Sequence, residues 1–409
     1  MSVEEPLSGP QPVDTRGAWR LFERFFRDLL FGQVLVRMGA DGARLYRGRF
    51  CGGAGELAIH HPWRFATRVV VRGEIGFAES YIAGHWSSPD LPALLGVLYD
   101  NLEHLGGGPQ GMRWGRWLNR LTHLRRRNHR RNSRRNIARH YDLGNDFYRL
   151  WLDHGMTYSS ALFAPEAGDE SLEQAQARKY ERLLDAIDAR PGEHLLEIGS
   201  GWGGLAEAAA QRGLRVTSIT LSRAQLDYAQ TRLAAAGLAD LVEFRLADYR
   251  EVRGSFDHAI SIEMMEAVGE AYWSTYYDTL RRLVRPGGRI ALQVITIHED
   301  DFPLYRRTPD FVQLYIFPGG MLPSPRRMTE EAARAGLRIR DTRWCGDDYA
   351  ETLRRWRARF HAVDAEVAAL GYDAAFRRMW DYYLAYCEAG FRAGCVDLVQ
   401  TLLEVPRRT

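Results

Sequence analysis

The residues from Leu195 to Gly204, LLEIGSGWGG, place closely spaced glycines directly after an apolar run. Glycine lets the backbone turn sharply and approach a ligand, and the N-terminus of a following helix offers free N–H groups to that ligand. The next residues, LAEAAAQ, have the composition of such a helix. A strand, a glycine turn and a helix in this order predict a nucleotide-binding turn at Gly199, Gly201 and Gly203, and a turn that serves compactness alone is the less favoured interpretation.

The second strand distinguishes between kinds of nucleotide. A dinucleotide enzyme carries an Asp or Glu at the end of this strand, whereas RVTSITLS ends in Thr220, Leu221 and Ser222. Gln225 follows one turn later and could hydrogen-bond a ribose. Glu197 on the first strand supplies a charge suited to an ammonium group. With the turn RPGG before a fifth strand, this pattern is typical of S-adenosylmethionine-dependent methyltransferases and not of dehydrogenases.

Several motifs outside the glycine turn occur in a fixed order along the chain. They are GFAESYIAGHW (76–86), HYDLGNDFYRLWLDHGMTYSSALF (140–163), MMEAVG (264–269), YIFPGGMLPS (315–324) and WDYYLAYCEAGF (380–391). Together they resemble the cyclopropane-fatty-acyl-phospholipid synthase family, which includes the mycolic acid methyltransferases, over nearly the whole chain. The resemblance implies transfer of a methylene from S-adenosylmethionine to the cis double bond of an unsaturated phospholipid acyl chain. It also implies a carbocation that a bound bicarbonate deprotonates. The alternative is a methyltransferase of the same fold that acts on an acyl chain without ring closure or on a small-molecule nitrogen.

The same resemblance, together with the glycine turn, assigns a set of cofactor-binding residues. These are Tyr158, Ser159, Glu197, Gly199, Gly201, Gly203, Thr220, Leu221, Gln225, Tyr249 and Ile262. Tyr249 and Ile262 are expected to frame the adenine. No metal is expected, because the His and Cys residues show no metal-ligand spacing.

The resemblance also implies an anion site that would hold the bicarbonate. Glu266 and Tyr349 stand at its Glu and Tyr positions, and Ile295 matches a backbone contact. Gln293 stands where the family has a His, and Ser160 where it has a Cys. Gln can still donate a hydrogen bond to an anion, and a backbone donor does not depend on its side chain. The proton acceptor is therefore either bicarbonate or Glu266, while Glu266 taken alone could also be a carboxylate that stabilises a helix N-terminus.

An alkene is a weak nucleophile and a carbocation is quenched by water, so such a reaction needs a dry, aromatic pocket that aligns its reactants. The tail offers Phe376, Trp380, Tyr383 and Phe391 at helical spacing. A stripe of this kind is more often core than substrate wall, although an acyl channel is lined by core-like residues. We expect some of these side chains to serve both purposes.

The chain of 409 residues is long enough for two domains. From residue 192 onward, strand-like runs alternate with helical patterns, which predicts a parallel sheet. We therefore expect an α/β fold with a Rossmann-like class I methyltransferase domain over 140–409. A smaller mixed α+β domain is expected over 1–105, with an Arg-rich linker over 106–139. The tail from Asp348 to Leu403 is expected to be mostly helical.

The net charge of +3 hides an uneven distribution. The stretch from His104 to Tyr141 holds eleven Arg and no Asp or Glu, interleaved with Trp and Leu. Such a segment suits the surface of an anionic membrane, and we favour this over a solvated linker and far over nucleic-acid binding. No signal peptide or membrane-spanning stretch is visible, so we expect a cytoplasmic protein that associates peripherally with the inner face of the membrane. Relatives suggest a homodimer.

Overall fold

The computed structural model describes residues 16–39, 42–101, 143–164 and 170–407. The chain divides into two compact units, Met1–Arg116 and Trp117–Thr409. The N-terminal arm, the proposed linker over 106–139 and its Arg run lie outside the described residues. Within the described residues, no helix is long and apolar enough to cross a membrane, and no cluster of His, Cys, Asp and Glu could hold a metal ion.

The first unit is a small mixed domain. Its elements are α1 (Arg16–Phe26), β1 (Phe31–Met38), β2 (Ala43–Arg47), β3 (Phe50–Ile59), α2 (Pro62–Arg72), α3 (Glu74–Ile82), β4 (Trp86–Ser87) and α4 (Leu91–Asp100). The sheet order is β2-β1-β3-β4, with β1 and β3 parallel and the other pairs antiparallel. The GFAESYIAGHW motif forms α3 and the start of β4. Its Trp86 is buried, packs 4.3 Å from the Phe77 ring and donates its indole N–H to the Phe77 carbonyl.

The second unit is built on a seven-stranded sheet. Its strands are β5 (His194–Ile198), β6 (Arg215–Thr220), β7 (Val242–Leu246), β8 (His258–Ile262), β9 (Arg289–Ile297), β10 (Arg338–Trp344) and β11 (Val396–Glu404). The order is β10-β11-β9-β8-β5-β6-β7. Strands β5 to β9 run parallel, and β5 is the middle one of these five; the turn that follows it carries the glycines.

Helices cover this sheet and form the tail. They are α5 (Asn145–Trp151), α6 (Leu172–Ala186), α7 (Gly204–Gln211), α8 (Arg223–Ala235), α9 (Met265–Val268), α10 (Trp273–Leu283), α11 (Phe302–Tyr305), α12 (Pro325–Arg334), α13 (Gly346–Ala362), α14 (Asp364–Ala369) and α15 (Ala374–Arg392). Two clusters of buried apolar residues pack against the sheet. The five parallel strands and their intervening helices were predicted from the alternation of apolar runs, and this prediction is confirmed.

The end of the tail differs from the sequence-based expectation. Residues Val396–Glu404 form β11, an antiparallel strand between β9 and β10, and not a helix. Most of its side chains are buried, so the segment VDLVQTLLE shows neither strand alternation nor a helical stripe. A short apolar run of this kind cannot be assigned by periodicity alone. The consequence matters for the site, because β11 places Gln400 beside Gln293 of β9.

Candidate active site

The glycine turn after β5 has the geometry that a ligand-binding turn requires. Gly199 has φ +97° and Gly203 has φ +89°, backbone angles that residues other than glycine rarely adopt. A Cβ at Gly199 would lie 2.6 Å from Met264 Cγ, and one at Gly203 would lie 3.1 Å from the Ala229 Cβ. Gly201, at φ +48°, has open space around it. The turn thus brings bare backbone next to an open region at the N-terminus of α7.

The residues predicted to hold the ribose form a buried network after β6. The Thr220 hydroxyl donates to Gln225 Oε1 over 2.9 Å and accepts the Ser222 backbone N–H. The Ser222 hydroxyl caps α8 by accepting the Gln225 N–H. Because the carbonyl oxygen of the Gln225 side chain is engaged, its NH2 group is the end that remains for a ligand. Leu221 lies between these residues and is half-buried.

Tyr249 and Ile262, the residues expected to frame the adenine, end up at the same edge of the sheet. Ile262 is the last residue of β8 and is half-buried. Tyr249 follows β7 and is buried, with its ring 5.5 Å from that of Tyr276. Its hydroxyl has no hydrogen-bond partner among the described residues. A buried hydroxyl without a partner is costly, so this one suits a group that the ligand supplies.

Glu197 lies within the sheet, where it is buried and accepts a hydrogen bond from the Ser218 hydroxyl on the adjacent strand, over 2.5 Å. Burial raises the pKa of Glu197 to about 8, and the Ser218 hydrogen bond opposes the rise. An ammonium group placed nearby would stabilise the ionised form.

Tyr158 lies in an aromatic cluster. Its ring is 5.3 to 5.7 Å from the rings of Tyr148, Trp151 and Trp356, and its hydroxyl pairs with the Tyr383 hydroxyl at 2.9 Å. The cluster extends to Phe317, Tyr349 and Phe391. The tail stripe belongs to the core: Trp380, Tyr383 and Phe391 are buried, while Phe376 is half-buried and stacks on Trp380.

Ser159 is held by the only lysine of the chain. Lys179, on α6, is buried and donates to the Ser159 hydroxyl over 2.6 Å and to the Gln176 side chain over 2.7 Å. Burial lowers the pKa of Lys179 to about 8, and the charges of Glu263 and Asp153 oppose this. The Ser159 hydroxyl is thus already engaged within the protein.

The residues assigned to the anion site converge on a carboxylate that the sequence analysis did not single out. Glu263 Oε1 accepts the Ser160 backbone N–H and the Gln293 side-chain N–H, each over 2.9 Å. Glu263 Oε2 accepts the Tyr349 hydroxyl over 2.8 Å. Burial raises the pKa of Glu263, while Lys179 and these donors oppose the rise. The structure therefore joins Ser160, Gln293 and Tyr349 through Glu263.

Glu266 lies three residues after Glu263 in the same segment. Its Oε1 accepts the Ile295 backbone N–H, and its Oε2 has no hydrogen-bond partner among the described residues. Burial and, to a smaller extent, the charge of Glu263 together raise the pKa of Glu266 to about 8. Glu266 is the first acidic residue of the short helix α9, so the structural interpretation of Glu266 also has support.

These contacts test whether the residues present fit a bicarbonate. Such an anion needs the donors that the resemblance assigns to it, namely Ser160 N–H, the Gln293 amide, Tyr349 OH and Ile295 N–H. All four already donate to carboxylates of the chain. A second anion there would find these four donors occupied and would face the Glu263 carboxylate. The donor set therefore does not fit a resident bicarbonate.

Sequence reasoning missed Glu263 and Lys179. Glu263 stands directly before the MMEAVG motif, so its carboxyl group was visible, but nothing in its own spacing showed that it meets residues 160, 293 and 349. Lys179 carried a usable signal, because one Lys among 55 basic residues is conspicuous. A buried amine with two neighbouring acceptors explains why a bulkier guanidinium does not replace it.

The fold and the site together define a class I S-adenosylmethionine-dependent methyltransferase. The glycine turn, the Gln225 amide and the partnerless Tyr249 hydroxyl fit the backbone, ribose and adenine contacts that such a cofactor needs. A solved mycolic acid cyclopropane synthase, CmaA1 complexed with SAH and CTAB, superposes with a TM-score of 0.62 at 30% identity, over 66% of this chain and 97% of that chain.

Sequence comparison places the chain in a family. The family model for mycolic acid cyclopropane synthetase matches residues 128–401, and the chain belongs to this family. It is 45% identical to the tuberculostearic acid methyltransferase UfaA1 of Mycobacterium tuberculosis, over 86% of this chain and 83% of the relative. It is 32% identical to the cyclopropane-fatty-acyl-phospholipid synthase of Escherichia coli, over 85% of this chain and 87% of the relative.

Proposed function

We propose that this protein methylates the cis double bond of an unsaturated fatty acyl chain in a phospholipid and leaves a methyl branch. The observation that carries the proposal is a pair of carboxylates, Glu263 and Glu266, next to the aromatic cluster around Tyr158 and Tyr349. A cation on an acyl chain needs aromatic faces to stabilise it and a base to remove its proton. Both are present within one buried region.

When bound, S-adenosylmethionine supplies an electrophilic methyl group, which the π electrons of the alkene take while the S–C electron pair stays on sulfur. The resulting carbocation lies on the acyl chain. In this proposal the glycine turn, Gln225 and Tyr249 hold the cofactor. The buried rings of Trp151 and Trp356 and the half-buried ring of Tyr158 exclude water and face the cation. Cation–aromatic contact contributes about 2 kcal/mol or more when desolvated.

The choice of product separates this proposal from the cyclopropane synthase that the motifs resemble. UfaA1, at 45% identity, is named as a methyltransferase, and the cyclopropane-forming relative from Escherichia coli is 32% identical. The anion site also departs from the pattern expected of a cyclopropane synthase, with Gln293 for His, Ser160 for Cys and Glu263 across the donors. Ring closure remains the alternative outcome, since both products gain one CH2 group.

Lipid analysis of cells that lack cyclopropane lipids and express this chain tests the proposal. Both products add about 14 Da per unsaturated acyl chain, the mass of one CH2 group transferred from the cofactor. Proton NMR of the purified acyl chains then separates them. We expect a branch methyl or methylene signal, whereas cyclopropane ring protons would establish the alternative and overturn the methyl-branch proposal. A Gly199→Ala variant, which disturbs the cofactor turn, serves as the control for background methylation.

A substrate in a bilayer requires contact with its surface. We propose that the Arg run over 113–139 provides a peripheral, reversible hold on anionic lipid at the inner face of the membrane. Each Arg near such a surface contributes about 1 kcal/mol at low salt. A homodimer is the assembly that we propose, on the strength of the family resemblance.

A further inference from the structure

A directional chain of hydrogen bonds fixes which groups face Glu263. The Arg182 guanidinium can only donate, and it donates to Gln400 Oε1 over 2.9 Å. The Gln400 NH2 group therefore faces Gln293 Oε1, at 2.9 Å, and the Gln293 NH2 group faces Glu263. The orientation of both glutamine amides therefore follows from the Arg182 guanidinium, which cannot accept a hydrogen bond. Glu263 Oε1 is accordingly an acceptor, as both oxygens of an ionised carboxylate are.

Glu263 is also the acceptor in its other two contacts. The Ser160 backbone N–H has no accepting capacity, and burial raises the pKa of the Tyr349 hydroxyl well above its usual value, so Tyr349 keeps its proton and donates it. Three donors thus converge on one carboxylate, and Lys179 adds a positive charge nearby. This is the set of contacts that the anion site would offer to a free anion, but it is already satisfied by the protein.

The backbone at Glu263 is held in a costly conformation. Its φ is +52°, in the left-handed region, and only two other non-glycine residues in the described part of the chain have positive φ. A conformation of this kind persists where the surroundings fix it, and it concentrates at functional sites. Here the Glu263 backbone N–H donates to the Gln293 carbonyl over 2.7 Å, so the same glutamine fixes both ends of the residue.

From these contacts we infer that Glu263 is a catalytic residue: its carboxylate accepts the proton from the methylated acyl cation and replaces a bound bicarbonate. The inference rests on the proposed function, because it needs a substrate cation. In the step, a C–H bond next to the cationic carbon breaks, and its electron pair forms the new π bond. The proton passes to a Glu263 oxygen and then to solvent. Gln293, Gln400 and Tyr349 are positioning residues that keep the carboxylate in place.

The first test is turnover of the purified full-length protein on vesicles of unsaturated phospholipid, with S-adenosylmethionine, in buffer freed of carbonate. We expect the wild type to work at the same rate with or without added bicarbonate. An active wild type that gains tenfold or more on adding bicarbonate would overturn the inference alone. A wild type that is inactive in every buffer would overturn the proposed function, and this inference with it.

Two substitutions at one position separate the chemistry from folding. Glu263→Gln keeps the shape and fills the site, so we expect a 10²- to 10⁴-fold loss of turnover that no added anion restores. Glu263→Gly suits φ +52° and leaves the donors open to water or an added anion, so we expect this variant to fold. Its turnover should be low in carbonate-free buffer and rise at least tenfold with bicarbonate or formate. Failure of both anions to restore it would overturn the inference, since a purely structural role predicts no rescue.

Two further variants complete the comparison. Glu243→Gln, on the exposed side of β7, removes a carboxylate that pairs with Arg245 and should leave turnover unchanged. Glu266→Gln removes a group that is largely protonated at pH 7, so we expect it to keep a much larger fraction of activity than Glu263→Gln. The reverse order, with Glu263→Gln near the wild-type rate, would make Glu266 the acceptor and overturn the inference. Calorimetric titration with S-adenosylmethionine should give unchanged affinity for every variant.

Discussion

Gly199→Ala tests why the turn after β5 has a glycine at position 199. Either a side chain would clash with its neighbours, or only the positive φ requires glycine. The added Cβ would lie 2.6 Å from Met264 Cγ and 2.7 Å from Met264 Sδ. Met264 lies between Glu263 and Glu266, so the clash would push on the segment that carries both carboxylates. Gly201→Ala is the matched control, because Gly201 also has a positive φ but nothing lies within 4 Å of the place that its added methyl group would take.

The magnitude follows from two contributions. A left-handed conformation costs a residue other than glycine about 1–2 kcal/mol, and this cost applies to both variants. Overpacking adds about 1–3 kcal/mol at Gly199 alone, reduced where the flexible thioether of Met264 can move. We therefore expect about 2–5 kcal/mol for Gly199→Ala and about 1–2 kcal/mol for Gly201→Ala. At roughly 2 °C per kcal/mol for a large domain, the melting temperature should fall by about 4–10 °C and about 2–4 °C.

Thermal unfolding followed by circular dichroism measures both variants, and titration with S-adenosylhomocysteine measures the turn itself. Gly199→Ala should lose stability and turnover together, since the displaced Met264 moves Glu263. Gly201→Ala should mainly weaken cofactor affinity. Equal melting temperatures for the two variants would refute the argument from space, because the shared conformational cost would then account for the whole effect.

Three other results are expected. Because burial raises the pKa of Glu197 to about 8, the folded chain keeps a proton that the unfolded chain loses above about pH 4.5, so stability falls as pH rises from about 5 to 8. Glu197→Gln should flatten that fall by up to about 1.4 kcal/mol per pH unit in urea titrations, and an unchanged slope would contradict the raised pKa. Tyr249→Phe should raise the melting temperature slightly, since the buried hydroxyl has no partner among the described residues, while weakening cofactor binding; a loss of stability would contradict this assignment. Replacing the Arg pairs 126–127 and 130–131 by Ser should weaken sedimentation with anionic liposomes at low salt but not at high salt, and salt-insensitive binding would return the Arg run to a linker role.

The order of elements in the second unit could be predicted from the sequence because each parallel strand is an apolar run bounded by turns. Strands β5, β7 and β8 each cover one short run of five residues. The antiparallel strand β11 could not be predicted in this way. It is buried on both faces, and its place between β9 and β10 depends on contacts far apart in the chain.

The site divides in a similar manner. The glycine turn and the ribose residues are local: Gly199 to Gly203 and Thr220 to Gln225 each lie within one loop, so their spacing already carried their chemistry. Motif resemblance supplied the residues of the anion site and implied bicarbonate as the anion, whereas the structure has the Glu263 carboxylate among these residues. Whether Ser160, Gln293 and Tyr349 hold a free ion or a side chain depends on what fills the space between three separate segments.

The sequence by itself therefore determined the class of enzyme, the cofactor turn and the order of the parallel strands, because these features follow from local patterns of apolar residues and glycines. Only the tertiary structure decided the identity of the buried anion. Glu263 meets donors from positions 160, 293 and 349, and the Gln293 amide is oriented by Gln400, on a strand at the end of a tail expected to be mostly helical. Hydrogen bonds between residues so far apart in the chain produce no recognisable pattern in the sequence, because the residues meet only when the sheet has formed.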